Sequence, residues 1–213
     1  MKSVEWFRRE TWTDEDKEEF HRKLARSREY KQAQYLRIQA YHLQHVGTPD
    51  LLVAALELLD EMLANYPAPS ELSTAYQQRA QCLAKLGRFE EAIEAYRQAL
   101  ATQRSVRSIR TDAYLDFGEL ALSLGRKELY PEALHCLDEF GGSEAFPISK
   151  FRNAVIRAFI AEEWGALSEA KRQAEAALAA AAKTESPFRW HRKLGLVESL
   201  DTDVQARLER LVS

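Results

Sequence analysis

Side chains able to do chemistry are few in this chain and scattered along it. His21, His42, His45, His135 and His191 are spread over the sequence. His42 and His45 are three apart and would share a helix face, but no nearby carboxylate or cysteine completes a metal-ligand set. No phosphate-binding glycine loop, nucleophile elbow or catalytic Cys–His pairing is present. Cys82 and Cys136 lie inside apolar helical patterns and read as core-filling thiols rather than a disulfide. The expectation is a non-enzymatic protein without cofactor or metal, whose chemistry is recognition. Two aromatic stretches could supply it. Trp6, Phe7 and Trp12 surround Arg8, Arg9 and Glu10, and either pin the N-terminus to the domain or form an exposed docking hook for self-assembly. In Ser186 to Val197, Phe188 and Trp190 alternate with Arg189, His191, Arg192 and Lys193. Such interleaving can stack on bases and neutralise phosphates. The favoured reading is that the aromatics anchor the tail over the preceding hairpin while the charges stay in water.

Composition narrows the classes. The chain has 213 residues, 46% hydrophobic and 30% charged, enough for a sizeable core under a hydrophilic exterior. Eight glycines and six prolines, with many Ala, Leu, Glu and Arg, favour helix nearly throughout. The net charge of −3 argues against a broad nucleic-acid or membrane surface, though not against a local basic patch. No apolar run approaches the ~20 residues of a membrane span, and the first residues lack a signal-peptide core. A cytoplasmic location is expected.

The elements that must position any binding residue are paired helices. In Ala75 to Leu100 the residues Tyr76, Ala80 and Leu83, then Phe89, Ala92, Tyr96 and Ala99, follow helical spacing on either side of Gly87. Gly87 can take the left-handed conformation that ends one helix and turns the chain. Similar units run from about Glu29 through Gly47 to Asn65, from Tyr114 through Gly125 to Leu137, and from Ala154 through Gly165 to Leu178. The small residue of each first helix falls at Ala40, Ala80, Gly118 and Ala158, and that of each second helix at Ala55, Ala92, Ala133 and Ala170. The first and third units should hold about three extra residues in the inner turn. Thr13 with Asp14, Glu15 and Asp16 starts a helix before the array, and Asp201 or Thr202 starts one after it.

These residues resemble the tetratricopeptide repeat over about residues 35–180, most clearly at Tyr76, Ala80, Gly87, Phe89, Ala92, Tyr96 and Ala99, with Pro67 at a repeat-closing position. Arg79 departs from the leucine usual there. The resemblance implies an all-α, right-handed solenoid of stacked antiparallel hairpins: residues 1–34 as aromatic lead and capping helix, 35–182 as four hairpins, 183–213 as tail and capping helix. It also implies a concave groove lined by the first helices, and hence a scaffold or adaptor for another protein or peptide. Transferred unit by unit, the groove residues are Arg37, Tyr41, Gln77, Gln81, Lys85, Glu119 and Phe159. The lysine and asparagine clamp of the family's chaperone-binding members is lacking, so chaperone-tail binding is not expected. Two rival readings are a nucleic-acid-associated regulator using Arg104, Arg107, Arg110 and residues 189–193, and a homo-oligomeric assembly factor.

Overall fold

A computed structural model describes residues 5–106 and 108–213, and Arg107 lies outside the described residues. Among the described residues there are ten α-helices and no strand, an all-α helical repeat. By internal contacts the chain divides into two units, Met1–Ala113 and Tyr114–Ser213.

The first unit opens with the aromatic lead and α1 (Asp14–Ala25). Thr13 and Asp16 form a reciprocal capping box that satisfies free N–H groups at the helix start. Two hairpins follow, α2 (Glu29–Val46) with α3 (Pro49–Asn65) and α4 (Pro69–Lys85) with α5 (Phe89–Ser105). The partners in each hairpin pack on each other, and α3 also packs on α4. The second unit holds α6 (Ala113–Ser123) with α7 (Tyr130–Phe140), then α8 (Pro147–Glu163) with α9 (Leu167–Ala181), and ends in α10 (Thr202–Val212), which packs on α9. The first helix of each pair is called leading below, the second trailing.

Small residues sit where helices cross. Ala40, Ala55, Ala80, Ala92, Ala133, Ala158 and Ala170 are all fully buried, and an added Cβ on Gly118 would lie 3.1 Å from two carbons of Ile156. Around them Leu36, Leu43, Leu59, Met62, Leu83 and Leu100 fill the first unit and Phe117, Tyr130, Leu137 and Ile156 the second. Each such side chain contributes roughly 1.5–3 kcal/mol on burial. No hairpin completes this core alone, so neighbours must stack.

The turns share one device. Gly47, Gly87, Gly125 and Gly165 have φ between 62° and 79°, the left-handed region open to glycine. After three of them the next residue's N–H reaches back five residues: Arg88 to Leu83, Arg126 to Ala121 and Ala166 to Ala161, at 2.9, 3.0 and 2.9 Å. The first hairpin departs from this and from expectation. Its extra residues do not enlarge the turn, which is only Gly47 and Thr48; Pro49 starts α3 early and they become helix. In the third hairpin they form a short 3-10 turn, Lys127–Leu129. Phe89, placed on the apolar stripe by its spacing, is exposed at the start of α5.

Candidate protein-binding surface

On the first unit the leading helices α2 and α4 are joined by a polar seam. Arg37 of α2 is paired through Nε with Glu71 of α4. Further along, Gln44 Nε2 donates to Gln81 Oε1 at 2.7 Å, and Lys85 Nζ donates to the Gln44 carbonyl at 3.3 Å. Gln44 is buried, and among the described residues its Oε1 has no donor. Three expected groove residues, Arg37, Gln81 and Lys85, are thus gathered along one helix–helix line. Gln77 is half-buried on the same helix.

Tyr41 is one helical step from this seam and stays 50% exposed. Its ring stacks on His45 with centroids 6.1 Å apart and planes at 19°, and meets His42 edge-on at 5.6 Å. Burial holds His42 below its ordinary pKa, with Arg8 and His45 adding repulsion and Glu10 opposing. Tyr41, His45 and Lys85 therefore offer an aromatic face, an imidazole and an ammonium at an exposed surface. That combination suits recognition of protein side chains and backbone, since a tyrosine supplies contact area at little entropic cost.

The second unit uses its expected residues differently. Glu119 is exposed but grips Arg152 of α8 through two 2.6 Å hydrogen bonds, and Arg152 also bonds Asp116 at 2.6 Å. These partners raise the Arg152 pKa against the opposing effect of burial, so its charge is fixed. Leu115, at a position equivalent to Arg37 and Gln77, is fully buried. Phe159 does not face solvent as the unit-by-unit transfer expects. It is 7% exposed, beneath Arg207 of α10, whose guanidinium lies 3.9 Å from the ring centroid. Glu162, one turn on, accepts from Arg207 at 2.6 Å and Arg210 at 2.9 Å. The last helix covers this part of α8, and Phe159 packs with Ala158, Ala174, Ala177 and Leu208.

The N-terminal aromatics are engaged within the chain. Trp6 meets Phe20 and Tyr35 at 5.3 and 4.9 Å, Phe7 meets Tyr35 at 4.6 Å, and Trp12 meets Phe20 at 5.3 Å. Gln39, which the sequence reading passed over, holds the lead in place. Its amide accepts from Arg9 N–H at 3.0 Å and donates to Arg9 C=O at 2.8 Å. Arg9 itself bridges Asp16 and Glu19. A long buried amide at a stripe edge was the only signal for this latch.

Among the described residues, no group of three or more His, Cys, Asp or Glu could hold a metal ion, and no helix is long and apolar enough to cross a membrane. Cys82 and Cys136 are both buried. Arg104 and Arg110 are exposed. No curated protein and no solved structure matches the chain. Residues 73–105, which take in most of α4 and all of α5, match the family model of the tetratricopeptide repeat, so this hairpin is similar to that family in sequence as well as in shape.

Proposed function

We propose that the chain binds a segment of another protein on the exposed side of the α2–α4 seam, with Tyr41, His45 and Lys85 as contacts. The tetratricopeptide match supports a protein-interaction scaffold in general terms. The carrying observation for this face is Tyr41, a large ring left half in water and stacked on an exposed imidazole beside a lysine. Elsewhere the corresponding positions are occupied: Glu119 by Arg152, Phe159 by α10. Arg37 and Gln81 serve chiefly to hold α2 against α4 and so position the contacts. A cytoplasmic setting is part of this reading.

The test is affinity capture from the native cell with the parent chain and a Tyr41→Ala, Lys85→Ala double variant. Gln81 is left intact because its loss would strip the Gln44 side chain of its acceptor, whereas Lys85→Ala removes only the longer 3.3 Å contact to the Gln44 carbonyl. Helicity should be unchanged and the captured partner should bind about 5- to 30-fold more weakly, as for loss of a typical contact pair of 1–2 kcal/mol. Capture undiminished by the double variant would refute the assignment of this face.

A further inference from the structure

The segment between α9 and α10 has no helix of its own, yet it is closely folded. Ser186 N–H donates to the Arg192 carbonyl at 2.9 Å, His191 N–H to that of Phe188 at 3.0 Å, and Leu194 N–H to that of His191 at 3.0 Å. Ser186 Oγ accepts from Phe188 N–H at 3.2 Å. The loop is tied to the start of α8, where Ile148 N–H donates to the Gly195 carbonyl at 2.8 Å. Gly195 lies so close to Phe146 that an added Cβ would fall 2.1 Å from the ring. Phe188 stacks on the same ring, with centroids 5.2 Å apart and planes at 21°.

One aromatic of the pair is therefore an anchor, as the sequence suggests, and the other is not. Trp190 is 83% exposed, with the Arg189 guanidinium 5.3 Å from its ring centroid. Burying an indole is strongly favourable, so one held out in water by a hydrogen-bonded loop has forgone that gain. Arg189, His191, Arg192 and Lys193 are all exposed around it. Lys150 and Lys183 line an adjoining cleft of about 330 Å³ with Ser186, Pro187 and one carboxylate, Glu185. Among the described residues none of these five arginines and lysines joins an ion pair, whereas Arg152, Arg157 and Arg207 on the helices all do.

We propose that this loop binds single-stranded nucleic acid: a base stacks on Trp190, and the flanking phosphates are met by Arg189, Arg192 and Lys193, with Lys183 and Lys150 as further cations. Each nucleotide supplies what the patch lacks, a flat π face for the indole and an anion for the guanidinium beside it. A duplex hides its base faces within the stack and offers only phosphates. An anionic membrane rewards several apolar anchors on a broad basic face; here Phe188 keeps one face on Phe146 but is 46% exposed, and Leu194 is 51% exposed, so vesicles form the rival arm of the test. An acidic peptide answers the charge but not the indole. The chain's net charge of −3 confines any strand to this local patch.

Fluorescence anisotropy of a labelled, unstructured oligonucleotide of about 12 nucleotides, as RNA and as DNA, tests this on the full chain between about 50 and 150 mM salt. Both single strands should bind more tightly than the duplex of the same sequence, and the RNA and DNA arms report which sugar is preferred. The slope of log K against log salt should be about −2 to −3, for three or four phosphates. Trp190→Ala should weaken binding about 5- to 100-fold with the slope nearly unchanged, and Trp190→Phe should recover much of the loss. The double variant Arg192→Gln, Lys193→Gln should flatten the slope by about 1 to 1.5. Circular dichroism at 222 nm, equal for all variants, shows that the helices are intact. The proposal is overturned by no binding at low salt, by Trp190→Ala binding as well as the parent, by polyglutamate competing as effectively as oligonucleotide, or by retention on phosphatidylserine vesicles alone.

Discussion

Replacing Gly118 by alanine sets two effects against each other. Alanine is favoured over glycine in a helix interior by about 1 kcal/mol. Its Cβ would lie 3.1 Å from both Cδ1 and Cγ2 of Ile156, inside the ~3.5–4.0 Å at which carbon atoms attract. Ile156 is fully buried and stiff about χ1, so it has little room to withdraw. Overpacking of this kind costs about 1–3 kcal/mol, and the net effect should be a loss of about 0–2 kcal/mol. The decisive comparison uses Ile156→Ala, which removes both crowding carbons. That change alone should cost about 2–5 kcal/mol. In its presence Gly118→Ala should stabilise by about 1 kcal/mol or more, since the new methyl enters the space vacated. The cycle should therefore show a coupling of about 1–3 kcal/mol by urea unfolding of the four proteins at equal m. Additivity within about 0.5 kcal/mol, or a parent stabilised by the full helix-propensity gain, would refute the register that sets α6 against α8 at this point.

Three further outcomes are expected. Ala80→Leu or Ala92→Leu, each at a fully buried crossing, should lose about 1–3 kcal/mol or more and melt at lower temperature; melting equal to the parent would contradict the packing of α4 on α5. Burial pushes the Cys82 thiol up to about 12, with Lys85 opposing, so the native protein at pH 8 should react with an aromatic disulfide far more slowly than the unfolded chain; equal rates would refute the burial. Burial disfavours ionised Glu162, but hydrogen bonds from Arg207 and Arg210 outweigh it and its pKa lies below the ordinary value. The stabilisation it gives α10 is complete above the unfolded value of about 4.3 and is lost as pH falls through the depressed folded value. Glu162→Gln should reduce the fall in melting temperature across that window, and an unchanged profile would remove Glu162 from the account.

The helix pairs were legible because what specifies them is local. A small residue must stand where two backbones cross, and a glycine must stand where the chain turns through positive φ; Ala80, Ala92 and Gly87 announce both within one stretch of sequence. What the polar side chains of the leading helices do was not legible. Arg37 with Glu71, Gln44 with Gln81, and Arg152 with Asp116 and Glu119 each join different helices. Their meeting depends on the stagger of one hairpin on the next, which spacing within a helix does not carry. Phe159 was misplaced for a related reason: position on a leading helix says which way a side chain points, not whether a later helix returns to cover it. At Trp190 composition suggested an anchor, but the fold of the loop stacks Phe188 on Phe146 and leaves the indole in water.

The way α10 is held bears on how long such a chain can be. Arg207 and Arg210 bind Glu162 of α8 much as Arg37 binds Glu71 and Arg152 binds Asp116, so α10 is received by the kind of polar linkage seen between α2 and α4 and between α6 and α8. The joint that holds α10 is of the same kind as those holding the leading helices within each unit. An additional hairpin spliced in between Ala181 and Thr202 would meet a socket already shaped for a helix, and α10 could dock again one place further along if the newcomer carried a carboxylate where Glu162 now stands.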